Sequence, residues 1–101
     1  MRVRRLRDGV GRLGASGEVI HIDVFGNAVT NLVPIEGRRL LRVNAGGTAI
    51  EGLSPSYASR RRGQPLAILG SAGFIELSVN RGSAAADLGL AVGDRVTATW
   101  S

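Results

Sequence analysis

Short apolar runs, each broken by residues suited to turns, organise this chain. Glu18-Val19-Ile20-His21-Ile22-Asp23 has the composition of a strand. Gly26 lets the backbone bend, and Asn27 to Val33 reads as the returning strand of a hairpin. In that return Asn27, Val29 and Asn31 share one face, while Ala28, Thr30 and Leu32 share the other. Leu40 to Val43 and Thr48 to Leu53 flank Asn44-Ala45-Gly46-Gly47, a turn signal for a second hairpin. Leu66 to Leu69 and Phe74 to Val79 flank Gly70-Ser71-Ala72-Gly73, a third. Pro55 and the run Arg60 to Gly63 mark a loop. Ser83 is placed to cap a short helix, Ala84 to Leu88, that Gly89 ends. Arg95 to Trp100 reads as the last strand. Turn signals this frequent predict an all-β fold, a closed barrel or a sandwich, with one short helix near the C-terminus. Residues 1–16, Arg- and Gly-rich with weak periodicity, read as an arm or linker remnant, and residues 17–101 as the barrel.

Composition narrows the chemistry. The chain has 101 residues, enough for one domain with a modest core. With no cysteine it has no disulfide, thiolate metal site or cysteine nucleophile. The one histidine, His21, cannot build a metal cluster alone. All thirteen basic residues are arginine, which removes a Walker-type lysine and a Schiff base. No apolar run approaches the length of a membrane span and no signal core follows the N-terminal arginines, so the expected location is cytoplasmic. A formal charge of +5 raises nucleic acid as a partner, but aromatic residues are only 4% of the chain and a stacking groove is not expected.

Candidate chemistry gathers in Asp23-Val24-Phe25-Gly26-Asn27-Ala28-Val29-Thr30-Asn31. Asp and Asn are poor strand residues and need hydrogen-bond partners when buried. A bound ligand would supply those partners. The Asn27 amide presents donor and acceptor side by side, matching an adenine edge. Phe25 can cover a flat base, and Asp23 suits an ammonium or a ribose hydroxyl. A second cluster, Ser71, Glu76, Asn80 and Ser83, surrounds the Gly70–Gly73 turn, whose backbone N–H groups can approach a carboxylate. A strand glutamate such as Glu76 can equally face solvent. Ser71 and Ser83 lack a histidine at credible spacing, which argues against a serine-type triad.

The block from Gly17 to Asn31, together with Pro65 to Asn80, Gly82-Ser83-Ala84-Ala85 and Gly93-Asp94-Arg95-Val96, resembles the C-terminal domain of the S-adenosylmethionine (SAM) hydroxide adenosyltransferases. These are relatives of the SAM-dependent chlorinase and fluorinase. Several separate motifs in the right order carry the likeness across residues 17–100. It implies a small closed or nearly closed β-barrel of about seven strands that holds the adenosyl and methionyl parts of SAM. By position, Asn27 would read adenine, Phe25 and Tyr57 would flank the base, and backbone groups of Val79 would complete that contact. Asp23 and Glu76 would face the ammonium, and Ser71 with its turn amides would take the carboxylate. SAM enters as substrate and no cofactor is implied. Ala72, where the halogenases have an arginine, favours the water-using branch, a SAM hydrolase forming adenosine and methionine. The family's water-activating groups sit in a larger N-terminal domain with no counterpart in this sequence, and His21 does not match its catalytic histidine. That places no catalytic residue here and makes the chain inactive alone. The same resemblance implies a homotrimer whose sites lie between one subunit's N-terminal domain and its neighbour's C-terminal domain. Two alternatives stand beside it: a PDZ-like peptide-binding module, suggested by residues 82–96, and a small basic barrel that binds nucleic acid.

Overall fold

A computed structural model describes the 101 residues, the Ser59 side chain excepted. Eight strands, β1 (Arg2–Arg5), β2 (Leu13–Ile22), β3 (Ala28–Thr30), β4 (Leu40–Ala45), β5 (Thr48–Glu51), β6 (Pro65–Leu69), β7 (Ile75–Val79) and β8 (Arg95–Trp100), accompany one short helix, α1 (Ala84–Asp87). Seven of them follow the order β5-β4-β8-β2-β3-β7-β6, and all neighbours are antiparallel. The ends of this path meet where Leu53 bridges Ala67 and the Ser54 N–H donates to the Ala67 carbonyl at 2.8 Å. The barrel is therefore nearly closed, which hides most of its sheet edges.

Long β2 is the hinge of the architecture. Its first half pairs with β8, from Leu13 opposite Trp100 to Glu18 opposite Arg95. Its second half pairs with β3, from Val19 opposite Thr30 to Ile22 opposite Ala28, with a bulge between Val19 and His21. Such a bulge bends a strand and lets it serve two parts of a barrel. Asn31 stabilises this corner, its Oδ1 accepting from the Glu18 N–H at 2.9 Å.

Period-2 burial is clearest in β8, where Val96, Ala98 and Trp100 are buried and Arg95, Thr97 and Thr99 face outward. The same inward face collects Val19, Val43, Ile50, Ile75 and Leu77 in one core. Strand β7 breaks the rule. Ile75, Leu77 and Val79 point inward, yet outward-facing Ser78 is buried as well. Its partner Leu66 is also fully buried although it lies outside the core cluster. Other parts of the chain must cover the outer face of β6 and β7 at this level, and they form the candidate site.

Several boundaries differ from the pattern-based expectation. The return strand expected over 27–33 is only three residues long. Thr30 explains its end: its hydroxyl donates to the Ile75 carbonyl at 2.6 Å and accepts from the Leu32 N–H, so side-chain bonds replace the ladder. Residues 1–16, read as an arm, hold β1 and the first four residues of β2, paired from Arg2 opposite Ser16 to Arg5 opposite Leu13. All four β1 residues are nevertheless exposed, which is why no hydrophobic pattern announced a strand. Among the described residues, no helix is long and apolar enough to cross a membrane.

Candidate functional site

Asp23 builds the turn between β2 and β3. Its Oδ1 accepts from the N–H groups of Phe25 at 2.9 Å and Asn27 at 3.0 Å. Its Oδ2 accepts from Asn27 Nδ2 at 3.0 Å. Burial works to raise the Asp23 pKa, but the Asn27 and Phe25 hydrogen bonds, with nearby His21, win and hold it below the usual carboxylate value. Gly26 takes φ +82° and lies against Ser83, where any Cβ would strike the serine hydroxyl. The Ala85 N–H then donates to the Gly26 carbonyl at 2.9 Å, so α1 sits directly on the turn. Ser83 caps that helix, its Oγ accepting from the Ala86 N–H.

Asn27 is buried beneath this turn, and the Ser78 hydroxyl donates to its Oδ1 at 2.8 Å. One amide hydrogen and one lone pair of the carboxamide remain uncommitted, the side-by-side donor and acceptor that a base edge requires. The carboxamide is thus oriented by protein groups on both sides before any ligand arrives.

Tyr57 approaches from a one-turn 3-10 helix, Tyr57–Ser59. Its loop is pinned at two places. The Arg60 guanidinium donates to the Glu51 carbonyl at 2.6 Å, and Asn80 Nδ2 donates to the Arg60 carbonyl at 2.6 Å. Backbone bonds from Gly63 to Asn80 and from Asn80 to Gln64 complete the attachment. Burial, followed by the Glu76 and Asp23 carboxylates, pushes the Tyr57 hydroxyl above its ordinary pKa. Both acids therefore act on this one ring.

Together these elements enclose an open cleft of about 490 Å³, within the ~300–1,000 Å³ range of small-molecule sites. Five of the seven expected site residues line it: Asp23, Phe25, Asn27, Tyr57 and Val79. Ser71 and Glu76 do not. Glu76 lies near the start of β7 with its carboxylate over Gly70, in space that a side chain at position 70 would occupy. Exposed Ser71 sits in the β6–β7 turn, at the far end of those strands from Asn27. The expected residues form an extended track along the outer face of β7, with the cleft at one end. Asn80, of the second polar cluster, lines it too, as do Ser78 and Arg81, which the sequence did not single out. Ser78 shares a strand face with Glu76, and Arg81 is the one described non-glycine residue with positive φ, at 57°. Neither feature marks a site in sequence alone.

The comparisons with known proteins bear on this geometry. The SAM hydroxide adenosyltransferase C-terminal domain family matches residues 17–97. The chain belongs to this family. The match runs through residues 82–96, the stretch behind the PDZ-like alternative. An (R)-S-adenosyl-L-methionine hydrolase of Thermus thermophilus is 43% identical over 82 residues, covering 79% of this chain and 30% of that protein. Two solved structures share the fold. A conserved hypothetical protein of Thermus thermophilus superposes with a TM-score of 0.68 at 40% identity, over 82% of this chain and 34% of that one. An uncharacterized conserved protein of Thermotoga maritima gives 0.67 at 28% identity, over 86% and 35%. The family member described here thus spans 30–35% of the length of these relatives.

Proposed function

We propose that this domain is the substrate-binding part of a SAM hydrolase, which converts SAM and water to adenosine and methionine. The adenine lies in the cleft, its edge read by the free donor and acceptor of Asn27. Phe25 and Tyr57 flank the base, and Val79 backbone groups complete the contact. The ribose and methionyl chain together run from the cleft along the outer face of β7, past Glu76 towards the Ser71 turn, about 13 Å by the rise of four strand residues. Along that path Glu76 faces the ammonium and the Ser71 hydroxyl with its turn amides takes the carboxylate. Asp23 contributes mainly through the turn it holds, with negative charge near the cationic part of the ligand as a second effect.

The observation that carries this reading is the arrangement of Asn27, fixed by Asp23 and Ser78 with its base-reading groups uncommitted. Hydrolysis at the 5′ carbon expels methionine from a sulfonium, which demands an in-line water and a closed site. This domain offers two gripping points and an open cleft. A water-activating N-terminal domain of the same family, in cis or in trans, supplies the remaining wall, in a homotrimer.

Calorimetric titration with adenosine, SAM and a single-stranded oligonucleotide tests the proposal. Weak, saturable binding of both nucleosides with little salt dependence is expected, and Tyr57→Ala should weaken it about tenfold, the lower-to-middle range for loss of a base-stacking ring. Tyr57 suits the test because it is half exposed, whereas truncating Asn27 would also loosen the turn. Absence of nucleoside binding at millimolar ligand, even with a family N-terminal domain added, would refute it. Oligonucleotide binding that collapses with salt would favour the nucleic-acid alternative.

A further inference from the structure

A second cleft, of about 570 Å³, opens at the other end of the barrel, where β4 begins and β8 ends. Its lining is rich in donors. Arg38, Arg39 and Arg60 contribute guanidinium-bearing side chains, Trp100 contributes an indole, and Glu51 is the one carboxylate. Trp100 is 1% exposed, and its Nε1 is the sole buried side-chain nitrogen or oxygen without a hydrogen-bond partner among the described residues. A buried indole N–H is a donor only and needs an acceptor.

Two of the arginines are already held in place. Arg38 Nη1 donates to the carbonyls of Gly11 at 2.7 Å and Ser101 at 3.1 Å. Arg60 is fixed through Glu51 and Ser54, with donors left over. Exposed Arg39 has no side-chain partner among the described residues; only its backbone is engaged, by Ser101. Three permanent cations and one orphaned N–H against a single carboxylate leave this lining short of acceptors. Guanidinium forks match planar or tetrahedral oxyanions, which accept several such bonds at once.

We propose that this cleft binds a small oxyanion, a phosphate or a carboxylate, through Arg39, Arg60 and the Trp100 indole N–H. The site is separate from the adenosyl cleft and does not depend on that reading. Its position also matters, because the Arg60 carbonyl is the group that Asn80 holds beside the first cleft.

Trp100 is the only tryptophan, so the indole N–H gives one resolved signal in a proton–nitrogen correlation spectrum of the 101-residue chain. Titration with inorganic phosphate at ionic strength held constant with sodium chloride should move that signal along a saturating curve. A parallel acetate titration distinguishes the ligand class: saturation with acetate as well assigns a carboxylate-competent site, and with phosphate alone a phosphate site. Arg39→Gln, whose folding the same spectrum verifies, should weaken the response at least tenfold. A signal that moves with neither anion, that follows chloride equally, or that responds unchanged in Arg39→Gln overturns the proposal.

Discussion

Asp23 organises its turn with both carboxylate oxygens, and this decides what its replacement should do. Asp23→Ala removes three hydrogen bonds to an ionised acceptor and should cost about 1–2 kcal/mol of stability, measured by urea unfolding. Because the folded pKa is depressed, the stabilisation is complete above the unfolded value of about 3.9 and disappears as pH falls through the lower folded value. The stability difference between wild type and Asp23→Ala should therefore shrink below that pH, and a difference constant down to the acid limit would contradict the assignment. Tyr57 offers an independent check, since it is the sole tyrosine. Its ultraviolet titration midpoint should lie above that of a free tyrosine, and Glu76→Gln should bring it down. No movement in Glu76→Gln would mean that the carboxylate and the ring are not neighbours in solution.

At the scale of elements, the sequence was most readable where one face is buried and the other wet. The alternation of β8, the Gly46–Gly47 turn with both φ values positive, and Ser83 as helix cap all follow from local rules. Legibility failed where partners are distant. Ser78 is buried and bonded to Asn27, 51 positions earlier, a partnership that no local pattern reveals. Chemistry puts Ser71 in a second cluster and the resemblance puts it at the carboxylate end of the same ligand; the length of β7 separates it from Asn27. Gly26 shows local and distant constraints at one position. Gly26→Ala both strains a left-handed backbone and collides with Ser83, and should destabilise by about 1–3 kcal/mol while speeding amide exchange in the 23–27 turn. Exchange that stays slow there would show that α1 does not lock the turn. In contrast, removing residues 1–11 deletes only exposed β1 and its loop, and should lower the melting temperature by just a few degrees. Loss of cooperative unfolding would instead make β1 part of the barrel's stable unit.

For the whole molecule, the one-sidedness of the cleft is the most informative property. Phe25 is 76% exposed and Val24 94% exposed at the tip of the turn, apolar surface beside a site with only one wall. The chain spans about a third of its relatives' length, and the proposed function assigns the complementary wall to a further domain of the family. All of the proposed SAM chemistry requires the cleft at Asn27 to be a nucleoside site. The most direct measurement is a residue-by-residue chemical-shift titration of this chain with adenosine. Saturable shifts confined to residues 23–27, Tyr57 and 78–82, with β4 and β5 undisturbed, are the predicted result. Shifts absent at millimolar adenosine, or centred on any other face of the barrel, would contradict it.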